Sequence, residues 1–202
     1  MNALLAFAKG IDRLNDRFGS IAEWAVLLSC VISAANAIVR YALDYSSNSF
    51  MEVQWYLFSA CVMLGAAQVL RVNEHVRVDL IYSRFGGRGK VMIDLFGLIV
   101  FLLPVIGYLA WLSWGLFMVK LASGMRPEDS IASLGFFSYV WKLLSSGEMS
   151  NNAGGLIRWP AMLMLPLGFA LVWLQGLGEI FKRIGWLAHR FEMDMHYERP
   201  LQ

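Results

Sequence analysis

Few side chains in this sequence are of a type that does chemistry, and where they sit limits what that chemistry could be. The histidines are His75, His189 and His196, and the cysteines are Cys30 and Cys61. Haem held between membrane helices needs imidazoles inside apolar segments, yet all three histidines lie outside the long apolar runs of this chain. Quinone-linked disulfide exchange needs redox cysteines in loops, whereas both thiols fall within apolar runs and read as small buried hydrophobes. Proton-coupled export normally needs an ionisable group deep in a span, and no run contains one. Catalytic residues, cofactors and metal sites are therefore not expected.

The charges at the ends of the apolar runs are more informative. Arg40 closes the first run and Glu52 opens the second, across one short connection rich in Ser and Asn. They form either an ion pair pinning a hairpin or two independent snorkelling charges. Past the second run, Glu74, His75, Arg77 and Asp79 alternate with Val76 and Val78, a pattern suited to a hydrogen-bonded knot that fixes a turn. His75 alone is no metal site, because no second ligand is suitably placed. Within the second run, Gly65, Ala66 and Ala67 permit close helix approach, and Gln68 supplies an amide that prefers a protein partner to lipid.

Four uncharged runs position these residues: Trp24–Val39, Val53–Leu70, Leu95–Val119 and Trp159–Gly178. About 20 helical residues cross a hydrocarbon core roughly 30 Å thick, and flanking charges that snorkel let shorter runs suffice. A soluble bundle would show polar faces at helical spacing, which these runs lack. The expected architecture is an all-α membrane protein with spans near 22–43, 52–71, 92–120 and 158–180. The chain has 202 residues, 58% hydrophobic and 16% charged, so residues 1–202 form one small membrane domain with little left for a soluble one. Nothing in it points to nucleic acid.

Lys and Arg are distributed unevenly about the spans. Twelve fall in the N-terminal segment, the second connection and the C-terminal tail, against five (Arg40, Lys120, Arg126, Lys142 and Arg158) on the opposite side. The positive-inside rule then makes both termini cytoplasmic. No cleavable signal peptide is evident in residues 1–20. That segment instead repeats Leu4, Phe7, Ile11, Leu14 and Phe18 at helical spacing among charges, as an amphipathic arm on the membrane surface or against a partner helix. Pro104 predicts a kink in the third span. The loop 121–157 carries Phe136, Phe137, Tyr139, Val140, Trp141, Leu143 and Leu144, read as a short interfacial helix, and then a polar, flexible stretch over 145–155.

The run EVQWYLFSACVMLGAAQVLRVNEHVRVDL (residues 52–80) resembles the small permease subunit, the DctQ-like component, of tripartite ATP-independent periplasmic (TRAP) transporters. In that family an acidic residue opens the second span, a glycine lies deeper, and a His-hydrophobic-x-hydrophobic-Asp motif follows; the matching positions are Glu52, Gly65 and His75 through Asp79. The run GGLIRWPAMLMLPLGFALVWLQGLGEIFKRI (residues 154–184) is similar to the last span of the mannitol or chloroaromatic branch. The resemblance implies a non-catalytic subunit in the bacterial inner membrane. Its implied partners are a large permease that carries the sodium sites, a periplasmic protein that delivers organic anions, commonly carboxylates, and the surrounding lipid. A four-span assembly factor of an unrelated membrane complex is the alternative.

Overall fold

The computed structural model describes residues 2–45, 47–72 and 85–189. The Glu74, His75, Arg77 and Asp79 group lies outside the described residues. Among the described residues the fold is all-helical, and four helical stretches are long and apolar enough to cross a membrane. Its elements are α1 (Asn2–Leu43), α2 (Asn48–Val72), α3 (Gly87–Phe96), a π-helical turn (Gly97–Leu102), α4 (Leu103–Leu121), α5 (Ile131–Leu134), α6 (Phe136–Ser145) and α7 (Trp159–Leu187). The helix α3, the π turn and α4 run on as one third span of 35 residues.

The arm and the first span are a single helix of 42 residues. At about 1.5 Å per residue it is roughly twice as long as the hydrocarbon core is thick, so its N-terminal half projects beyond the apolar layer. The 29-residue α7 projects at the same end of the bundle. The two projections pack together: Phe7 and Phe181 meet ring edge to face, their centroids 6.2 Å apart. The arm's repeat is thereby divided. Ala8, Ile11, Asn15, Ala22 and Ala25 form the buried seam, while Leu4, Phe7 and Leu14 keep exposed surface on an outward ridge. Surface attachment along the whole stripe is not what this geometry shows, because one side of the stripe is already covered by α7.

Helices that share lipid have no hydrophobic drive to associate, so small residues that admit a neighbour must hold the bundle. A Cβ added at Gly168 would lie 2.7 Å from Met63 of α2, and one at Gly176 would lie 2.7 Å from Leu102 of the π turn. On α7 these glycines let two neighbours approach closely. Ala22, Leu64, Ala67 and Leu171 form the buried centre of α1, α2 and α7, flanked by Phe18, Ala60 and Met164. The third span leans mainly on α7.

Pro104 sits just past a π-helical turn. It has no N–H to give the preceding turn, and its ring crowds that turn. The chain relieves both by widening into the π turn, in which the Leu103 N–H reaches back five residues to the Leu98 carbonyl. The Trp173 indole N–H of α7 then donates to the Leu103 carbonyl at 3.1 Å.

Candidate functional site

Hydrogen-bonding side chains gather at the two ends of the bundle. At the loop end, Glu52 stands one turn into α2 and is 3% exposed. Its Oε1 accepts from Ser150 Oγ at 2.5 Å and from Asn152 Nδ2 at 2.8 Å, and its Oε2 accepts from the Leu156 N–H at 2.6 Å. The segment read as flexible is thus a built turn. Met149 and Ile157 form an antiparallel bridge, the Ser150 N–H donates to the Leu156 carbonyl, and Gly154 turns with φ 70° where an L side chain would be strained. Asn48 and Ser49, at the start of α2, donate to the Ala153 and Gly154 carbonyls. Arg40 is exposed and is not among the partners of Glu52. Of the two readings, an Arg40–Glu52 ion pair or two independent charges, the arrangement fits the second: three donors from the outer loop engage the carboxylate, with no cation bonded to it among the described residues.

Behind this turn, Glu148 ties the ends of the third and fourth spans. It pairs with Lys120 at the close of α4 and, at 2.7 Å, with Arg158 just before α7. These bonds, that from Lys120 first and then that from Arg158, hold its carboxyl below the ordinary value of 4.5. Asp129 is likewise held below its ordinary 3.8, by Lys142 at 2.6 Å and then by the Arg126 N–H. The same loop contains α6, whose Phe137, Trp141 and Leu144 point outward while Tyr139, Val140 and Leu143 turn toward the body. Trp159 caps it by donating its indole N–H to the Leu144 carbonyl at 2.8 Å.

At the termini end, α1, α3 and α7 share a network that inspection of the apolar runs missed. Asn15 Nδ2 donates to Gln175 Oε1 at 2.6 Å, and Gln175 Nε2 donates to Asp12 Oδ1 and Glu179 Oε1, each at 3.0 Å. Lys182 bridges the same two carboxylates at 2.7 and 2.8 Å. Arg183 forks between Glu179 at 2.5 Å and Asp94 at 3.2 Å. A signal was present: Asp12, Asn15 and Asp16 on one side, and Glu179, Lys182 and Arg183 on the other, each follow i, i+3, i+4 spacing and so share a helix face. Asp16 continues the set outward by pairing with Arg71 of α2.

The remaining residues singled out from sequence sit at helix contacts. Gly65 faces Ala22 of α1, with 3.7 Å between that methyl and the place a Cβ would occupy. Gln68 lies over Gly19 of α1, whose missing side chain is the space the amide fills. These two therefore serve packing within the chain.

Four apolar helices whose polar groups tie the two ends together define a multi-pass membrane protein. A model of the family described as tripartite ATP-independent periplasmic transporters, DctQ component, matches residues 29–185. The chain belongs to that family, and it is a small membrane subunit of a TRAP-type transporter, a family of transporter subunits and not of enzymes. No curated protein and no solved structure gave a match.

Proposed function

We propose that this chain is the non-catalytic scaffold of a TRAP transporter, with both termini in the cytoplasm of a bacterial cell. It would brace a large sodium-coupled permease that takes up organic anions, most simply carboxylates, handed over by a periplasmic binding protein. The family match over most of the chain carries this reading. The geometry supports it. Glu52, Asp94, Glu179, Lys182 and Arg183 are engaged in ties at the bundle ends, and no discontinuous helix pair of the kind that forms a transport site is present among the described residues. The Lys and Arg asymmetry supports the orientation. Membership of the mannitol or chloroaromatic branch rests on the similarity of residues 154–184. No structural observation favours an assembly factor of an unrelated complex.

Reconstitution tests the proposal. Proteoliposomes with this subunit alone should show no sodium-driven organic anion uptake above empty vesicles, and adding the large permease and the binding protein should restore it. Uptake by the subunit alone would overturn the scaffold role.

A further inference from the structure

We infer that the outward face of the third span, centred on Tyr108 and Trp111, is a docking seam for a transmembrane helix of the large permease, and not a lipid-facing surface. This rests on the scaffold reading above and adds which helix makes the contact.

Depth makes the first part of the case. Between Asp94 and Lys120 the third span has no charged residue. Tyr108 falls fourteen positions after the first and twelve before the second, about 21 and 18 Å along a helix. Its hydroxyl therefore lies near the middle of the hydrocarbon layer, beyond snorkelling reach of either surface. The residue is 59% exposed, and Trp111, one turn on, is 68% exposed with its ring centroid 6.1 Å from that of Tyr108. Neither polar tip has a hydrogen-bond partner among the described residues. Three such groups are satisfied within this chain: Tyr56 donates to the Ile157 carbonyl, Trp159 to the Leu144 carbonyl and Trp173 to the Leu103 carbonyl, while the exposed Trp24, Trp55 and Trp114 lie nearer the span ends than Tyr108. Tyr and Trp normally sit at the membrane interface, where one end of the ring is wet. Two donors left bare at mid-depth call for an acceptor that lipid tails do not supply.

Shape makes the second part. Pro104, Tyr108, Trp111, Gly115 and Met118 recur at spacings of 4, 3, 4 and 3, which keeps them on one seam of α4. Gly107, Gly168 and Gly176 have the place of their missing side chain filled by Trp173, Met63 and Leu102 of this same chain. Gly115 has nothing within 4 Å of that place. Small residues on a helix face let the backbone of another membrane helix approach closely. The third span leans mainly on α7, so this seam looks away from the bundle. The occupant that fits is an apolar helix offering a backbone carbonyl, or a Ser or Thr hydroxyl, opposite Tyr108.

The test uses the complex of full-length subunit and permease. A photo-crosslinking amino acid at 108 or 111 should trap the permease, while one at Ile38, exposed on α1, serves for comparison. Gly115→Leu should lower recovery of the permease at least about tenfold in mild detergent and leave the melting temperature of the isolated subunit unchanged. Tyr108→Phe should weaken recovery roughly threefold, the scale of one interhelical hydrogen bond in lipid. If the permease co-purifies but 108 and 111 crosslink only to lipid or to a second copy, or if Gly115→Leu changes nothing, the seam is overturned and the scaffold role stands. If the permease never co-purifies with the unaltered subunit, the scaffold role itself falls, and the seam with it.

Discussion

Asn15 and Gln175 stand 160 positions apart in sequence, yet their amides meet at 2.6 Å with both side chains fully buried. This bond fastens the N-terminal arm to the last span and connects directly to the ion pairs around it. Asn15→Leu leaves the Gln175 carbonyl oxygen buried without a donor, a loss of about 1–3 kcal/mol. The expected outcome is a lower melting temperature in detergent, and no change on Asn15→Leu would show that water replaces the bond.

Arg183 holds Glu179 and Asp94 at once, joining α7 to the third span. Removing it takes one cation from Glu179, which keeps Lys182 and Gln175, and breaks the tie to Asp94, in a poorly solvated place where breaking a buried pair costs up to about 3–5 kcal/mol. Arg183→Met should give little folded, monodisperse protein. Arg183→Lys should rescue only part of the loss, since a single ammonium does not span both partners as the guanidinium fork does. Size-exclusion profiles and melting curves of the two variants check this.

Glu52 and Arg40 are expected to behave as unrelated residues. Glu52→Gln turns one of the two carboxylate oxygens into an NH2 donor, so either Ser150 and Asn152 or the Leu156 N–H lose their acceptor and meet a donor instead; the loop should open and Arg158 should become several-fold more susceptible to trypsin. Arg40→Gln should leave the cleavage rate unchanged. Equal effects of the two substitutions would restore the ion pair between them.

The loop should also loosen in acid. Glu148 and Asp129 have folded-state values depressed below their ordinary 4.5 and 3.8, so their contribution to stability is complete above those values and is lost as the pH falls through the depressed ones. A spin label at the exposed Asn151 should be immobilised at neutral pH and become mobile once the pH passes well below 4.5. In Glu148→Gln it should be mobile already at pH 7.

Orientation can be read by labelling. In a background lacking Cys30 and Cys61, a cysteine at Asn152 should react with an impermeant thiol reagent on intact spheroplasts, and one at Gly87 should not. The reverse pattern would place the termini outside.

The sequence by itself determined the spans, because lipid excludes charge and sets a minimum apolar length, and both requirements are visible as uninterrupted runs. It pointed to a short helix in the outer loop, from the apolar section Phe136 to Leu144, where the structure has α6. It also exposed the Pro104 defect, though not its form. Helix ends were legible only coarsely: the third helix starts at Gly87, several residues before the span expected near 92, because backbone hydrogen bonding does not stop where the apolar run does. Pairing was decided by the tertiary structure. The partner of Glu52 is a turn about a hundred residues away, the partner of Asn15 is on the last span, and the hydrophobic repeat of the arm is split between α7 and the outside. Spacing along a helix says which residues share a face, but which face meets which neighbour depends on how four helices pack together. That is settled by the positions of Gly19, Gly168 and Gly176 against side chains distant in the chain.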